Sequence, residues 1–177
     1  MFDMLLAVEQ ADDRQTVITL ADFQREFDDP WSNPEMDSLI ALTPAGQAAA
    51  FARTFQNPQP EDENRCFLWV DVHPAQRGRG LEDFLLDWSE ARARQRLLAM
   101  DNGLPRVMRY GLQDTQADLI ARLESRGFSP VRYFYRMRRD LREPIPAVRL
   151  PDGLTLRPFT PALSQAVQDA INEAFRD

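Results

Sequence analysis

The run Val72-His73-Pro74-Ala75-Gln76-Arg77-Gly78-Arg79-Gly80-Leu81 constrains this chain more than any other stretch. It joins an apolar segment, Cys66-Phe67-Leu68-Trp69-Val70, to a long helical pattern that opens at Leu81. A strand, a glycine-rich turn and a helix N-terminus in that order make a cradle for an anion. Main-chain N–H groups converge there, the helix dipole favours negative charge, and glycine lets a bulky ligand touch the backbone. Arg77 and Arg79 add positive charge and forked donors.

The flanking segments predict one α/β domain, which 177 residues are enough to build around a core. Met1, Met4, Leu5 and Val8 fall at helical spacing. A second helix starts at Thr19, with Asp22 in its first turn and Leu20, Phe23 and Phe27 on its apolar side, and Pro30 and Pro34 break it. Met36 to Thr43 and Ala48 to Phe55 read as a hairpin around the turn Pro44-Ala45-Gly46. The acidic, proline-punctuated stretch from Asn57 to Asn64 is a surface loop. Cys66 to Val72 is apolar on both faces, as a strand in the middle of a covered sheet must be. Leu81, Phe84, Leu85, Trp88 and Ala91 predict an amphipathic helix packed on it. Arg106 to Leu112 is the next strand and Thr115 to Arg126 the next helix, closed by Gly127. Pro130 to Asp140 reads as a further strand. Glu143-Pro144-Ile145-Pro146 is a stiff linker, Gly153 to Phe159 a strand and Pro161 to Phe175 a helix. Leu163, Ala166, Val167, Ala170, Ile171, Ala174 and Phe175 give that last helix a full apolar stripe, which must be buried against something.

Composition narrows the function. A net charge of −7 argues against a nucleic-acid surface. All 21 basic residues are arginine, a pattern that codon usage explains without a functional cause. The single cysteine, Cys66, excludes an intramolecular disulfide and a cysteine-cluster metal site. No run of about 18 apolar residues is present, so no membrane partner is expected. Met1-Phe2-Asp3-Met4 has no basic region. These features fit the cytosol.

Val72 to Leu81 resembles the acyl-CoA-binding motif of the GNAT N-acetyltransferase superfamily: a strand ending V-x-P, then Arg/Gln-x-x-Gly-x-Gly/Ala opening a helix. The resemblance spans about Met36 to Asp140 and includes Gly127-Phe128, a pair that often ends the corresponding helix in that family. It implies a mixed central β-sheet with helices on both faces, and acetyl transfer from acetyl-CoA to a small-molecule amine by direct attack. It also implies that Val72, Arg77, Gly78, Arg79, Gly80 and Leu81 hold the cofactor. Leu150 to Pro161 resembles the first strand and the start of the first helix of another such domain, and Asn172 to Phe175 the end of that helix, as in tandem-domain members. The expected organisation is a GNAT-like domain over 1–142 lacking its first strand, a linker over 143–152, and the opening of a second domain over 153–177. We expect that last piece to dock in the vacant first-strand slot, within the chain or in a second copy as a swapped dimer. The chain is then expected to be a fragment of a tandem protein.

Two departures from the family pattern bear on function. The closing small residue of the motif is Glu82, followed by Asp83; two carboxylates in the first helical turn stabilise the helix but repel a pyrophosphate. The tyrosine that the family often places before Gly-Phe is Leu123 here, and its frequent asparagine is Gln116, so no acid for the thiolate stands at those positions. Tyr110, Tyr133 and Tyr135 are alternatives, although strand tyrosines usually pack. His73, the only histidine, is expected at the surface. Asp71 either pairs with an arginine or serves as a substrate-side base. Cys66 reads as a core thiol, and Trp69 and Trp88 as core residues. Arg132, Arg136, Arg138, Arg139 and Arg142 form a solvated face. Two functions remain open: an acyl-CoA-dependent N-acetyltransferase domain, or a non-catalytic scaffold or CoA-binding half of a tandem protein.

Overall fold

Strand Cys66–Val72 is central, as its two apolar faces require. In the computed structural model, which describes residues 1–14, 19–28, 32–56 and 59–176, it extends over Asn64–Val72 and is hydrogen-bonded on both sides. Among the described residues ten helices and strands follow one another: α1 (Phe2–Ala11), α2 (Leu20–Arg25), α3 (Pro34–Asp37), β1 (Ser38–Leu42), β2 (Ala48–Gln56), β3 (Asn64–Val72), α4 (Leu81–Leu98), β4 (Arg106–Tyr110), α5 (Ala117–Ser125) and α6 (Ser164–Ala174). The sheet order is β1-β2-β3-β4; the first two pairings are antiparallel and β3 runs parallel to β4. Residues fall into two units, Met1–Val131 and Arg132–Asp177.

The alternation of side chains along each strand builds two cores in the first unit. On one face Ala50, Ala52, Val70 and Val72 meet Leu85 and Leu86 of α4 and Leu123 of α5. The small alanines let a helix approach closely. On the other face Phe51 and Trp69 meet Met4 and Leu5 of α1 and Phe23 of α2, with Phe51 and Trp69 packed edge to face at 5.6 Å. Burying each such side chain stabilises the fold by about 1.5–3 kcal/mol. The expected mixed sheet with helices on both faces is therefore present, and Cys66, Trp69 and Trp88 all contribute to its packing.

Local chemistry fixes the ends. Thr19 and Asp22 form a capping box on α2. The expected break at Pro30 lies outside the described residues. The strand expected from Met36 begins at Ser38, because Pro34 and the Asn33 side chain first wind one helical turn. The α4 stripe differs from the sequence reading. Leu85, Leu86, Ser89, Ala93 and Leu97 are buried, whereas Phe84 is 61% exposed and Ala91 is also exposed. The helix is turned toward the alanine-lined face, and Arg126, reaching Asp87 and Glu90 from the end of α5, holds it there.

Two expected strands are not formed. Pro130 to Asp140 and Gly153 to Phe159 carry no ladder, and the second unit contains α6 but no strand among its described residues. A strand exists only through a neighbour, so an apolar pattern without one remains irregular. Gly127 has φ +87° and closes α5 as expected. No helix among the described residues is long and apolar enough to cross a membrane.

Leu85 sits at the centre of the α4 face. Leu85→Ala should lower the unfolding free energy by about 2–5 kcal/mol in urea titration, whereas Phe84→Ala should change it by less than about 1 kcal/mol.

Candidate functional site

The turn after β3 is built by three local devices. His73 N–H bonds back to Ala49 O at 2.8 Å, ending the ladder. Pro74–Gln76 then winds a single tight turn whose first amide, Ala75 N–H, donates to His73 Nδ1 at 3.1 Å. Gly78 at φ +70° and Gly80 at φ +84° finally reverse the chain into α4. An L side chain at either position would cost about 1–2 kcal/mol in backbone strain. A Cβ there would meet nothing within 4 Å, so the space above both glycines is open. Gly80 is the N-cap of α4 and has no side chain to cap with, which leaves the first-turn amides aimed at the turn.

The structure brings Val72, Arg77, Gly78, Arg79, Gly80 and Leu81 together, but the arginines do not project outward as forked donors. Arg77 folds back, its Nε donating to Val72 O at 3.2 Å and its Nη1 to Asp12 Oδ1 at 2.7 Å. Arg79 donates to Gln76 Oε1. The donors left for a ligand at the turn are therefore mainly those of its backbone.

The two carboxylates of the first α4 turn separate. Asp83 faces α5, where Arg122 at 2.5 Å and Arg126 at 3.4 Å hold it, and the Arg122 bond keeps its carboxyl below the usual range. Glu82 alone faces the turn. Its Oε1 accepts Gly78 N–H at 2.9 Å, and its Oε2 is buried with no hydrogen-bond partner. The chain thus places its own anion on one donor of the cradle.

Asp71 is paired. It is 3% exposed, accepts Arg14 Nη2 at 2.5 Å and Nη1 at 3.2 Å, and also accepts Trp69 Nε1–H at 2.6 Å. Arg14 also bonds Asp12, which bonds Arg77. This chain of ions ties α1 to the turn; its members lie too far apart in sequence for spacing to reveal them. Asp71 is thereby an ion-pair anchor, and three donors occupy the lone pairs a base would need.

Leu123 is buried in the α4 face core. Gln116 bonds Gln113 N–H at 2.9 Å and lies 3.5 Å from Asp12. Tyr110 Oη bonds both main-chain groups of Val70. Tyr133 and Tyr135 belong to the second unit and are exposed, as are Arg132, Arg136, Arg138, Arg139 and Arg142. Burial pushes the Cys66 thiol up to about 11, which makes it a packing residue.

No family model matches the chain. A mycothiol acetyltransferase of Pseudarthrobacter chlorophenolicus is 34% identical over 127 residues, 71% of this chain and 35% of that protein. Another, of Thermobispora bispora, is 30% identical over 183 residues, 96% of this chain and 56% of that protein. Among solved structures, a GCN5-related N-acetyltransferase from Sphaerobacter thermophilus superposes with a TM-score of 0.76 at 23% identity, over 98% of this chain and 53% of that one. The chain has the GNAT fold. In sequence it resembles mycothiol acetyltransferase, although it spans only about a third to a little over half the length of those curated relatives.

Asp71→Asn should remove the charge that Arg14 needs and destabilise the chain by about 3–5 kcal/mol. A urea midpoint unchanged from the parent chain would show that the ion pair does not anchor α1.

Proposed function

We propose that this chain is the cofactor-holding part of an acyl-CoA-dependent N-acetyltransferase that acetylates a small-molecule amine in the cytosol. The observation that carries this reading is the turn itself: two left-handed glycines open onto free space at an uncapped helix N-terminus, at the end of a central strand. The acetyltransferase names of the relatives support it. The backbone of Gly78, Arg79, Gly80 and Leu81 suits a diphosphate, and Val72 suits the main-chain pairing of an extended amide arm. Acetyl-CoA, when bound, supplies an activated acyl thioester. The chain's own part is to position it. Arg77 fixes the end of β3 through Val72 O, and Arg79 is near enough to the turn to swing toward a phosphate.

The bond from Gly78 N–H to Glu82 favours a second reading, in which this part holds CoA weakly and serves as the scaffold half of a tandem protein. Calorimetry with acetyl-CoA and CoA separates the two. Binding is expected, and Glu82→Gln should tighten it about tenfold by removing one negative charge near the diphosphate. Failure of either ligand to bind at millimolar concentration would sink the transferase reading and leave the scaffold.

Residues 143–152 are, on this reading, a linker, and 153–177 open a second GNAT domain. Leu156, Phe159, Ile171 and Phe175 are exposed in the second unit, and among the described residues β1 is paired on one side only. The T. bispora relative aligns through 96% of this chain yet is itself covered by only 56%. The segment docks beside β1 of this chain or of a second copy. Deleting 151–177 should then cause aggregation or a lower melting temperature; a truncated chain that stays monomeric at unchanged thermal stability rejects the docking.

A further inference from the structure

A side chain closes the place where β3 and β4 part. The two strands pair in parallel from Asn64↔Arg106 to Leu68↔Tyr110, and β3 then runs on to Val72 without β4. Main-chain groups alternate in direction along a strand. His73 N–H points to β2, so those of Val70 and Val72 point into the opening. The chain's own side chains bond the N–H and O of Val70 and the O of Val72. Val70 N–H donates to Tyr110 Oη at 3.1 Å, and the Tyr110 O–H donates to Val70 O at 2.8 Å. Arg77 takes Val72 O.

The Tyr110 hydroxyl is fixed from both ends. Its ring packs against the Leu85–Leu86 cluster and against the cluster of Cys66, Leu68, Ala93 and Leu97. Its single proton is committed to Val70 O. Burial, and then the negative charge of Asp71, raise its pKa, so the phenol remains a neutral donor across the working range.

A main-chain N–H aimed into a dry opening is the kind of donor that polarises a carbonyl. At this opening that donor is Val70 N–H. We propose that Tyr110 is a selectivity-determining residue that withholds Val70 N–H from an acyl carbonyl, so that the groove takes a CoA moiety equally well with or without its acyl group. This inference rests on the CoA reading of the glycine turn. It concerns the β3–β4 opening and not the Gly78 amide that Glu82 holds, and Leu123, in the same core cluster as Tyr110, has no side-chain donor to compete.

Calorimetry on the full chain and on Tyr110→Phe, each with CoA and with acetyl-CoA, tests it. The unmodified chain should bind the two ligands within about twofold of each other. Tyr110→Phe should bind acetyl-CoA about threefold to tenfold more tightly, the gain of one hydrogen bond, and leave CoA within about twofold. A tenfold preference for acetyl-CoA in the unmodified chain overturns the proposal, as does a variant in which the ratio stays the same. Hydrogen exchange at the Val70 amide of the unmodified chain needs no variant. Slow exchange is expected, and exchange as fast as in an exposed loop overturns the role of Tyr110 even if CoA binds. Slow exchange with no binding of either ligand places the failure in the CoA reading, and the selectivity falls with it.

Discussion

The Asp71 carboxylate lies on the central strand, out of water, where an unpaired ion would cost several kcal/mol. That penalty dictates much of what surrounds it. Trp69, two residues back on the same face, turns its indole N–H onto the carboxylate. Arg14 supplies the countercharge from just beyond α1, so the end of α1 must lie against β3. Met4, Leu5 and Val8 are then carried onto the sheet, where their burial adds to what the ion pair alone provides. Asp12 extends the arrangement to Arg77, and Arg77 to Val72 O. The helix that opens the chain and the turn that ends the central strand are thus parts of one polar network.

This network changes the chemistry of the turn. Arg77 and Arg79 would meet a phosphate directly if they were extended; instead Arg77 is drawn inward and Arg79 is held by Gln76. Anion attraction then falls to the amides of the first α4 turn, whose partial charge is short-ranged. Such a site depends on fit more than on long-range field, in keeping with a chain whose net charge is −7.

Between Asn64 and Tyr110 the fold is legible from sequence because each signal is local. A short run apolar on both faces marks the central strand, and two glycines two residues apart mark the reversal. The legibility fails where a partner decides. The α4 stripe is misjudged at Phe84 and Ala91 because the alanines of β2 and the reach of Arg126 set the rotation of the helix. Pro130–Asp140 and Gly153–Phe159 have strand-like composition and no ladder. Arg14 and Asp71 stand 57 residues apart, with nothing in either neighbourhood to announce the other. At the site, the conflict at Glu82 could be read from its position in the first helical turn. The release of Asp83 toward α5 could not, since it needs Arg122 and Arg126 from another helix. Tyr110 reaches Val70 only because the parallel register ends at Leu68.

A backbone cradle selects for negative charge and not for a particular anion, and Glu82 is the case in point. Its carboxylate reaches Gly78 N–H from four residues away on the same short segment, so the contact orders little chain that α4 has not already ordered. A diphosphate must give up translational freedom to arrive, but it can engage several amides at once and carries more charge. Glu82 holds one amide with one oxygen, and its other oxygen is buried without a partner, a cost of about 1–3 kcal/mol that release to water would recover. The two sides of this competition are close in size. The motif therefore determines the shape of the turn, while the residue immediately after it and the tyrosine at the end of β4 determine what the turn can do.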